Sequence, residues 1–242
     1  MGREMTDVIE PAPARPQAPA EQVLDRAPWQ SLTGHHARFA QRHGRAARYH
    51  PDVAPFVALE DYRDPRSWED AAALLGPEEQ LILPGVSEWP DGWKAVAGVE
   101  GVQMVGAGVD PRPEPDAVVL GPGDVPEILD LVARTKPGPF LPRTIELGTY
   151  LGIRRDGALV AVAGERLHPP GWTEISAVCT DPEYRGQGLA SRLVRAVAAG
   201  IVARGEVPFL HAAATNTNAI RLYRTLGFEL RRTVMFTLLA RA

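Results

Sequence analysis

The chain has 242 residues, of which 45% are hydrophobic, so it is long enough for one large domain or two small ones. Its net charge of −4 argues against a general nucleic-acid binder, and no run of about 18 apolar residues predicts a membrane span. A single cysteine, Cys179, excludes an internal disulfide and favours a reducing, cytoplasmic location.

The first half of the chain predicts a flexible tail followed by a small α/β domain. Residues 1–22 are rich in proline and alanine, which predicts the tail, and residues 23–109 alternate between helical and extended patterns. The predicted elements of this domain are a helix from Pro28 to about His43, a strand at 53–59, a helix at 67–75 capped by Ser67, and a strand at 81–83.

Three histidines in this half raise the question of a metal site. His36, His43 and His50 recur every seven residues, but no cysteine or carboxylate completes a set of ligands around them. No metal site is therefore predicted.

A proline-rich segment at residues 110–115 predicts a linker, and a second domain at 116–242 follows it. This domain begins with a strand at 117–120 and a helix capped by Asp124. A hairpin follows at 150–166, because its central Asp156-Gly157 pair supplies the positive φ angles of a type I′ turn.

A glycine turn stands directly in front of an amphipathic helix. Gly186 and Gly188 precede a helix whose apolar residues, including Leu189 and Leu193, fall on one stripe. The first amides of a helix have no intrahelical partner, and the helix dipole is positive there. The turn therefore predicts a phosphate or pyrophosphate site.

Three phosphate-binding loops compete for this turn. A Walker loop needs Lys and then Ser or Thr after its last glycine, where Leu189 and Ala190 stand, so it is excluded. A dinucleotide loop needs a third small residue, and Ser191 fits that position poorly. The third pattern is Arg/Gln-x-x-Gly-x-Gly/Ala, which Arg185, Gly188 and Ala190 match in order.

This pattern resembles the acetyl-CoA pyrophosphate loop of the GNAT superfamily of N-acetyltransferases. A second segment, Asn216-Thr217-Asn218-Ala219-Ile220-Arg221-Leu222-Tyr223, closed by Gly227-Phe228, resembles the other signature of that family. The resemblance covers roughly the C-terminal half of the chain. It implies an α/β (α+β) GNAT fold, a mixed and mostly antiparallel sheet flanked by helices.

The resemblance also implies which residues bind acetyl-CoA. In this family a central strand splays from its neighbour and frees main-chain amides for the pantetheine arm. The implied cofactor-binding residues are Val178, Cys179, Thr180, Arg185, Gly186, Gln187, Gly188, Leu189, Ala190, Ser191, Asn216, Asn218 and Tyr223.

Two catalytic residues follow from the same resemblance. Tyr223 stands where family members present a phenol to the coenzyme sulfur as general acid, although it is also compatible with a core aromatic. Glu174 stands where histone-type members place a general base, which needs a pKa raised by burial or a water relay. A plain strand carboxylate stays open as the alternative. Phe140, Arg143 and Glu146 are the implied acceptor-binding residues.

The predicted function is acetyl-CoA-dependent N-acetylation of a primary amine, on a small molecule or peptide, by direct attack in a ternary complex. No metal, nucleic acid or membrane is an expected partner, and a homodimer stays open. The scarcity of lysine among the basic residues is typical of GC-rich bacterial genes. The alternatives are a non-catalytic acyl-CoA sensor and an enzyme that uses a longer acyl-CoA. The first half resembles the degenerate GNAT-like domain of glycine N-acyltransferase-type proteins, and an unrelated α/β domain is the alternative.

Overall fold

The computed structural model describes residues 19–76 and 79–242, so most of the predicted tail lies outside the described residues. The described part of the first half contains two short 3-10 helices, Glu21–Arg26 and Ala37–Phe39, together with two α-helices and five strands. These are α1 (Ala27–Thr33), β1 (Ala40–His43), β2 (Ala46–Tyr49), β3 (Val57–Leu59), α2 (Pro65–Leu74), β4 (Leu81–Pro84) and β5 (Trp93–Val105).

The second half contains three helices and six strands after the proline-rich segment. These are β6 (Ala117–Val119), α3 (Val125–Thr135), β7 (Tyr150–Arg155), β8 (Ala158–Glu165), β9 (Trp172–Thr180), α4 (Leu189–Ala203), β10 (Val207–Ala213), α5 (Thr217–Thr225) and β11 (Glu229–Arg241). None of the helices in the described ranges is long and apolar enough to cross a bilayer.

Eight strands form one sheet in the order β4-β11-β5-β10-β9-β8-β7-β6, and β1, β2 and β3 form a small separate sheet. Strands β9 and β10 run parallel, and the other neighbours in the large sheet run antiparallel. The predicted fold class, a mixed and mostly antiparallel sheet flanked by helices, is confirmed.

Strand β5 connects the two halves of the chain. It precedes the proline-rich segment, yet it lies between β10 and β11 of the second half and pairs with both. Both halves therefore complete one sheet. The division into domains at 23–109 and 116–242 stays a prediction.

The two faces of the sheet are covered by different parts of the chain. Helices α4 and α5 cover one face, where Ile175 and Leu210 pack against Leu193. Elements of the first half cover the other face together with α3, where Trp29 packs with Phe209 and Ile128 packs with Val162. Because successive residues of a strand point to opposite faces, Glu174 faces the first half while its neighbour Ile175 faces α4.

Three local predictions in the first half are wrong. The helix that begins near Pro28 ends at Thr33, because the chain turns at Gly34 and continues as the β1–β2 hairpin. The strand predicted at 53–59 is reduced to Val57–Leu59. Helix α2 begins at Pro65 and is capped by Asp64, whose carboxylate accepts from the Arg66 amide, whereas Ser67 is buried in the first turn.

Two predicted turns in the second half have different outcomes. The type I′ hairpin is confirmed, because Asp156 and Gly157 have φ angles of 51° and 83°. Asp124 stands at the start of α3, but its side chain makes no capping bond to the helix. It accepts from the Gly121 amide and from Arg154 instead, so the predicted cap by its side chain is wrong.

Candidate functional site

The glycine turn has the geometry that an anion site requires. Gly186 and Gly188 have φ angles of 79° and 74°, which favour glycine, and Gly188 caps the 15-residue helix α4. A Cβ placed on either glycine would meet no atom within 4 Å, so the space in front of the turn is open. The first amides of α4 can therefore reach a phosphate there.

The turn forms one end of a groove of about 530 Å³. Twelve of the thirteen predicted cofactor-binding residues line this donor groove, and Gln187 is the exception. The structure therefore brings together two motifs that are 30 residues or so apart in the chain. The other lining residues, which were not among the predicted cofactor-binding residues, are Thr135, Pro137, Tyr184, Ala219 and Leu222. The sequence did indicate that α3 ends near Pro137, since proline commonly follows the end of a helix.

Strands β9 and β10 separate beside the donor groove. Their paired residues run from Trp172 and Val207 to Ile175 and Leu210, and pairing stops there. Ala177 has a φ angle of 54° and interrupts the register with β8, which is a β-bulge of the kind found beside active sites. Beyond the bulge, the edge of β9 that faces β10 has no strand partner among the described residues.

One buried polar group after the bulge lacks a partner beside the groove. Val178 and Thr180 line it, and the buried Thr180 hydroxyl has no hydrogen-bond partner among the described residues. A buried hydroxyl normally finds a partner. This wall of the groove is therefore suited to a ligand with polar groups, as the pantetheine arm of coenzyme A is.

Helix α5 positions the predicted general acid. Asn216 caps the helix, because its Oδ1 accepts from the Ala219 amide at 3.1 Å. Tyr223 follows about two helical turns later. It lines the donor groove and packs edge-on against Phe228, with 5.9 Å between ring centroids. Burial raises the pKa of Tyr223 to about 12, so its phenol stays protonated and can donate.

Glu174 lies on the opposite face of the sheet in a buried ion pair. Arg166 donates from Nε and Nη2 to its two carboxylate oxygens at 2.8 and 2.6 Å, and His211 Nδ1 lies 2.7 Å from Oε1. Burial alone would raise the pKa of Glu174, but the charges and hydrogen bonds of Arg166 and His211 outweigh burial and lower it to about 2. The raised pKa, one of the two routes by which Glu174 could act as a base, is therefore absent, and its catalytic role stays a prediction.

The same network fixes the proton on His211. Gln103 accepts from Arg231 Nη1 through Oε1 at 2.6 Å and donates from Nε2 to the Leu24 carbonyl, which fixes the orientation of its amide. The Gln103 Nε2 group also lies 3.0 Å from His211 Nε2. His211 Nε2 must then accept, so Nδ1 carries the hydrogen that is donated to Glu174.

None of the three predicted acceptor-binding residues lines the donor groove or the second cavity that adjoins it. Phe140 is buried and packs edge-on against Tyr150, with 5.4 Å between ring centroids. Arg143 and Glu146 form an exposed bidentate ion pair, and the Arg143 amide donates to the carbonyl of Asp52 in the first half. Their acceptor role stays a prediction, although these contacts fit residues that pin the loop.

A second cavity, of about 390 Å³, adjoins the donor groove at Pro137, which lines both. Most of the lining of this apolar cleft is hydrophobic or glycine. Its lining residues are Phe56, Ile82, Ala97, Gly98, Val99, Gly101, Pro137, Gly138, Pro139, Arg166, His211, Ala212, Ala213, Phe236 and Leu238.

A group of histidines lies away from both cavities. His35, His36 and His168 each place a ring nitrogen within 4.8 Å of the others. Both nitrogens of His36 are already engaged, by the Tyr49 hydroxyl and the Leu147 carbonyl, so His36 has no free lone pair for a metal. His43 and His50, from the sequence pattern, pair with their own carboxylates, Asp70 and Asp52.

Comparison with known proteins places these features in a wider group. Residues 150–237 match the model of the family described as FR47-like protein. A solved structure from Novosphingobium aromaticivorans, described as a putative acetyltransferase from the GNAT family, is 42% identical to this chain. The match covers 91% of this chain and 99% of that one, with a TM-score of 0.82. A GCN5-related N-acetyltransferase from Kribbella flavida shares the fold at 20% identity, 93% and 96% coverage, and a TM-score of 0.57.

Curated relatives are similar over smaller parts of their length. The N-alpha-acetyltransferase RimI of Mycobacterium tuberculosis is 40% identical over 83 residues, which are 33% of this chain and 51% of that protein. An uncharacterized protein of Mycobacterium leprae is 29% identical over 203 residues, which are 74% of this chain and 54% of that protein. The matches thus span about half the length of these relatives.

Proposed function

Because the chain belongs to the GNAT family of acetyltransferases, we propose that it transfers the acetyl group of acetyl-CoA to a primary amine. The observation that carries the proposal is the donor groove, which joins the glycine turn, the separated strands and Tyr223 in one cavity. A GNAT fold alone would not specify the reaction, since function depends on the groups in the site.

The donor groove would bind acetyl-CoA at two places, its pyrophosphate and its pantetheine arm. The amides at the start of α4 would bind the pyrophosphate, with Arg185 beside them. The edge of β9 beyond the bulge at Ala177 would hold the pantetheine arm and polarise the thioester carbonyl through main-chain amides. Bound in this way, acetyl-CoA supplies an activated acyl group.

Tyr223 would supply the proton that the departing thiolate needs. Its phenol is protonated at neutral pH because burial raises its pKa to about 12. Attack of the amine forms the new C–N bond and breaks the C–S bond, and the electron pair of that bond leaves on the sulfur. A proton from the Tyr223 hydroxyl gives the free thiol, and the proton that the attacking nitrogen loses passes through water to the Tyr223 phenolate, so the phenol is restored.

Glu174 has a positioning role in this proposal rather than the role of the base. A carboxylate with a pKa of about 2 accepts a proton poorly at neutral pH, and both of its oxygens are occupied by Arg166 and His211. Its contacts fix His211, which lines the apolar cleft. The amine would lose its proton on entering an apolar cleft, because desolvation disfavours the ammonium form.

Two measurements test the proposed function. Isothermal titration should give a micromolar Kd for acetyl-CoA. Tyr223→Phe should lower turnover at least about a hundredfold, as expected for loss of a general acid, and should leave that Kd nearly unchanged.

The absence of acetyl-CoA binding would refute the proposal. Binding without turnover on any amine would favour the non-catalytic sensor, and full turnover in Tyr223→Phe would remove the phenol from the mechanism. A series of acyl-CoA donors of increasing chain length, assayed by release of free thiol, would separate acetyl transfer from transfer of a longer acyl group.

A further inference from the structure

We propose that the apolar cleft binds the acceptor and that this acceptor is a small primary monoamine with an uncharged, apolar body. The inference rests on the proposed function, since the cleft has a role only if an amine meets the acetyl group. It goes further because it names the class of amine and assigns part of its selection to the first half of the chain.

The position of the cleft supports this role. The cleft and the donor groove meet at Pro137, which lines both. They also lie beside the two strands that separate, since Val178 of β9 lines the groove and Ala212 of β10 lines the cleft. A molecule in the cleft can therefore place an amine at the point where the groove would hold the thioester.

The chemistry of the lining determines the kind of amine. Arg166 and His211 are the charged or titratable side chains that reach the cleft, and both are already bonded to Glu174. No Asp or Glu occurs among the described residues that line it. A second ammonium group would thus lie against apolar surface and the Arg166 guanidinium without a carboxylate partner, which is unfavourable. A single amine escapes this penalty by losing its proton.

The first half of the chain supplies one wall of the cleft. Phe56 and Ile82 form an isolated bridge between backbone segments, and both line the cleft. The Arg166 guanidinium lies 5.1 Å from the centroid of the Phe56 ring, a cation–π contact that fixes the ring at the base of the wall. Residues 97–99 of β5 add exposed apolar surface beside it. The acceptor is therefore selected by a part of the chain that lacks the acetyl-CoA motif.

A matched pair of amines tests the charge argument. Hexylamine and 1,6-diaminohexane have the same chain and differ by one ammonium group. Release of free thiol from acetyl-CoA should give a kcat/KM at least about tenfold higher for hexylamine, which corresponds to a modest penalty for one unpaired charge.

A matched pair of variants tests the location. Val99 is 56% exposed and lines the cleft, whereas Val96 on the same strand is 50% exposed and does not line it. Val99→Asp should place a carboxylate in the cleft, lower kcat/KM for hexylamine about tenfold and abolish the preference over the diamine. Val96→Asp should match the wild type with both amines.

Two outcomes would overturn the inference while the proposed function stands. One is a wild-type preference for the diamine or for a peptide N-terminus over hexylamine. The other is an equal kcat/KM for each amine in Val99→Asp and Val96→Asp. If no amine is acetylated, the proposed function fails, and titration of hexylamine into the protein with coenzyme A then tests the cleft alone. Binding lost in Val99→Asp but kept in Val96→Asp supports the cleft as an amine site, and no binding to the wild type refutes it.

Discussion

The two faces of the eight-stranded sheet hold their polar groups in different ways. On the face covered by α4 and α5, the donor groove depends on backbone amides and on glycines with positive φ angles. On the face covered by the first half, Glu174, Arg166 and His211 satisfy one another in a buried network. Neighbouring residues of one strand, Glu174 and Ile175, belong to these different surroundings.

The contrast between the faces indicates which substitutions should affect ligand binding and which should affect the free energy of unfolding. A groove made of backbone and open space tolerates substitution until a side chain fills that space. A buried network of charges fails when one partner is removed, because the remaining charge is left without compensation. We therefore expect ligand effects from the first face and stability effects from the second.

The largest effect is expected from breaking the buried ion pair. Glu174→Leu leaves Arg166 buried and uncompensated, so the free energy of unfolding should fall by about 3–5 kcal/mol. Urea denaturation measures this. Glu146→Leu removes the partner of Arg143 in an exposed ion pair of similar geometry and should cost less than about 1 kcal/mol. Equal losses in the two variants would contradict the contrast between the faces.

The second effect is a pH dependence that comes from His36. Burial, with His168 and His35 nearby, lowers its pKa to about 3 in the folded state, from 6.5. The unfolded chain therefore binds the proton first, and stability is full above pH 6.5 and is lost as the pH falls toward 3. By pH 5 the loss should be about 2 kcal/mol, at 1.36 kcal/mol for each pKa unit.

Thermal or urea unfolding of variants at pH 7 and pH 5 checks the assignment to His36. His36→Gln should remove most of this pH dependence, whereas His43→Gln, which replaces an exposed histidine, should keep it. An unchanged slope in His36→Gln would assign the dependence to other groups.

The third effect comes from a side chain added at the glycine turn, and a control variant distinguishes weaker ligand binding from backbone strain. Gly188→Val and Gly157→Val each place a side chain at a positive φ angle where an added Cβ meets no atom, so both should lose about 1–2 kcal/mol of stability. Gly188→Val alone should also weaken acetyl-CoA binding, about tenfold by titration, because its methyl groups fill the space in front of α4. Unchanged affinity would place the pyrophosphate elsewhere.

The smallest effect is expected from the removal of one helix cap in each half of the chain. Asn216 caps α5 beside the donor groove, and Asp64 caps α2 in the first half. Replacement of either by Ala should lower the free energy of unfolding by about 1 kcal/mol. The Asn216 variant should in addition raise the Kd for acetyl-CoA, and the Asp64 variant should leave it unchanged. A weaker Kd in both would indicate a general loss of structure.

The sequence predicted the donor groove well because its determinants are local. The glycines at 186 and 188 encode a backbone conformation, and the helix that follows encodes the direction of the amides. The structure of the first half was harder to predict from the sequence. His36 fits a helical pattern, but it belongs to a turn whose contacts, the Tyr49 hydroxyl and the Leu147 carbonyl, come from distant parts of the chain.

The partners of Glu174 could not be predicted for a related reason. Strand alternation places Glu174 on one face, but its pKa depends on Arg166 across the hairpin and on His211 in another strand. The burial that strengthens these contacts comes from the first half of the chain, whose packing has no local signal. Phe140 shows the same limit, because a loop aromatic became part of the core.

Strand β5 also has a consequence for the order in which the molecule assembles. Val105 pairs with Phe209, about 100 residues later in the chain, and β11 pairs along the other edge of β5. During synthesis β5 emerges long before either neighbour, so its edges must stay exposed until the last part of the chain arrives. Such distant pairing implies slow folding and a period in which the nascent chain is vulnerable to aggregation.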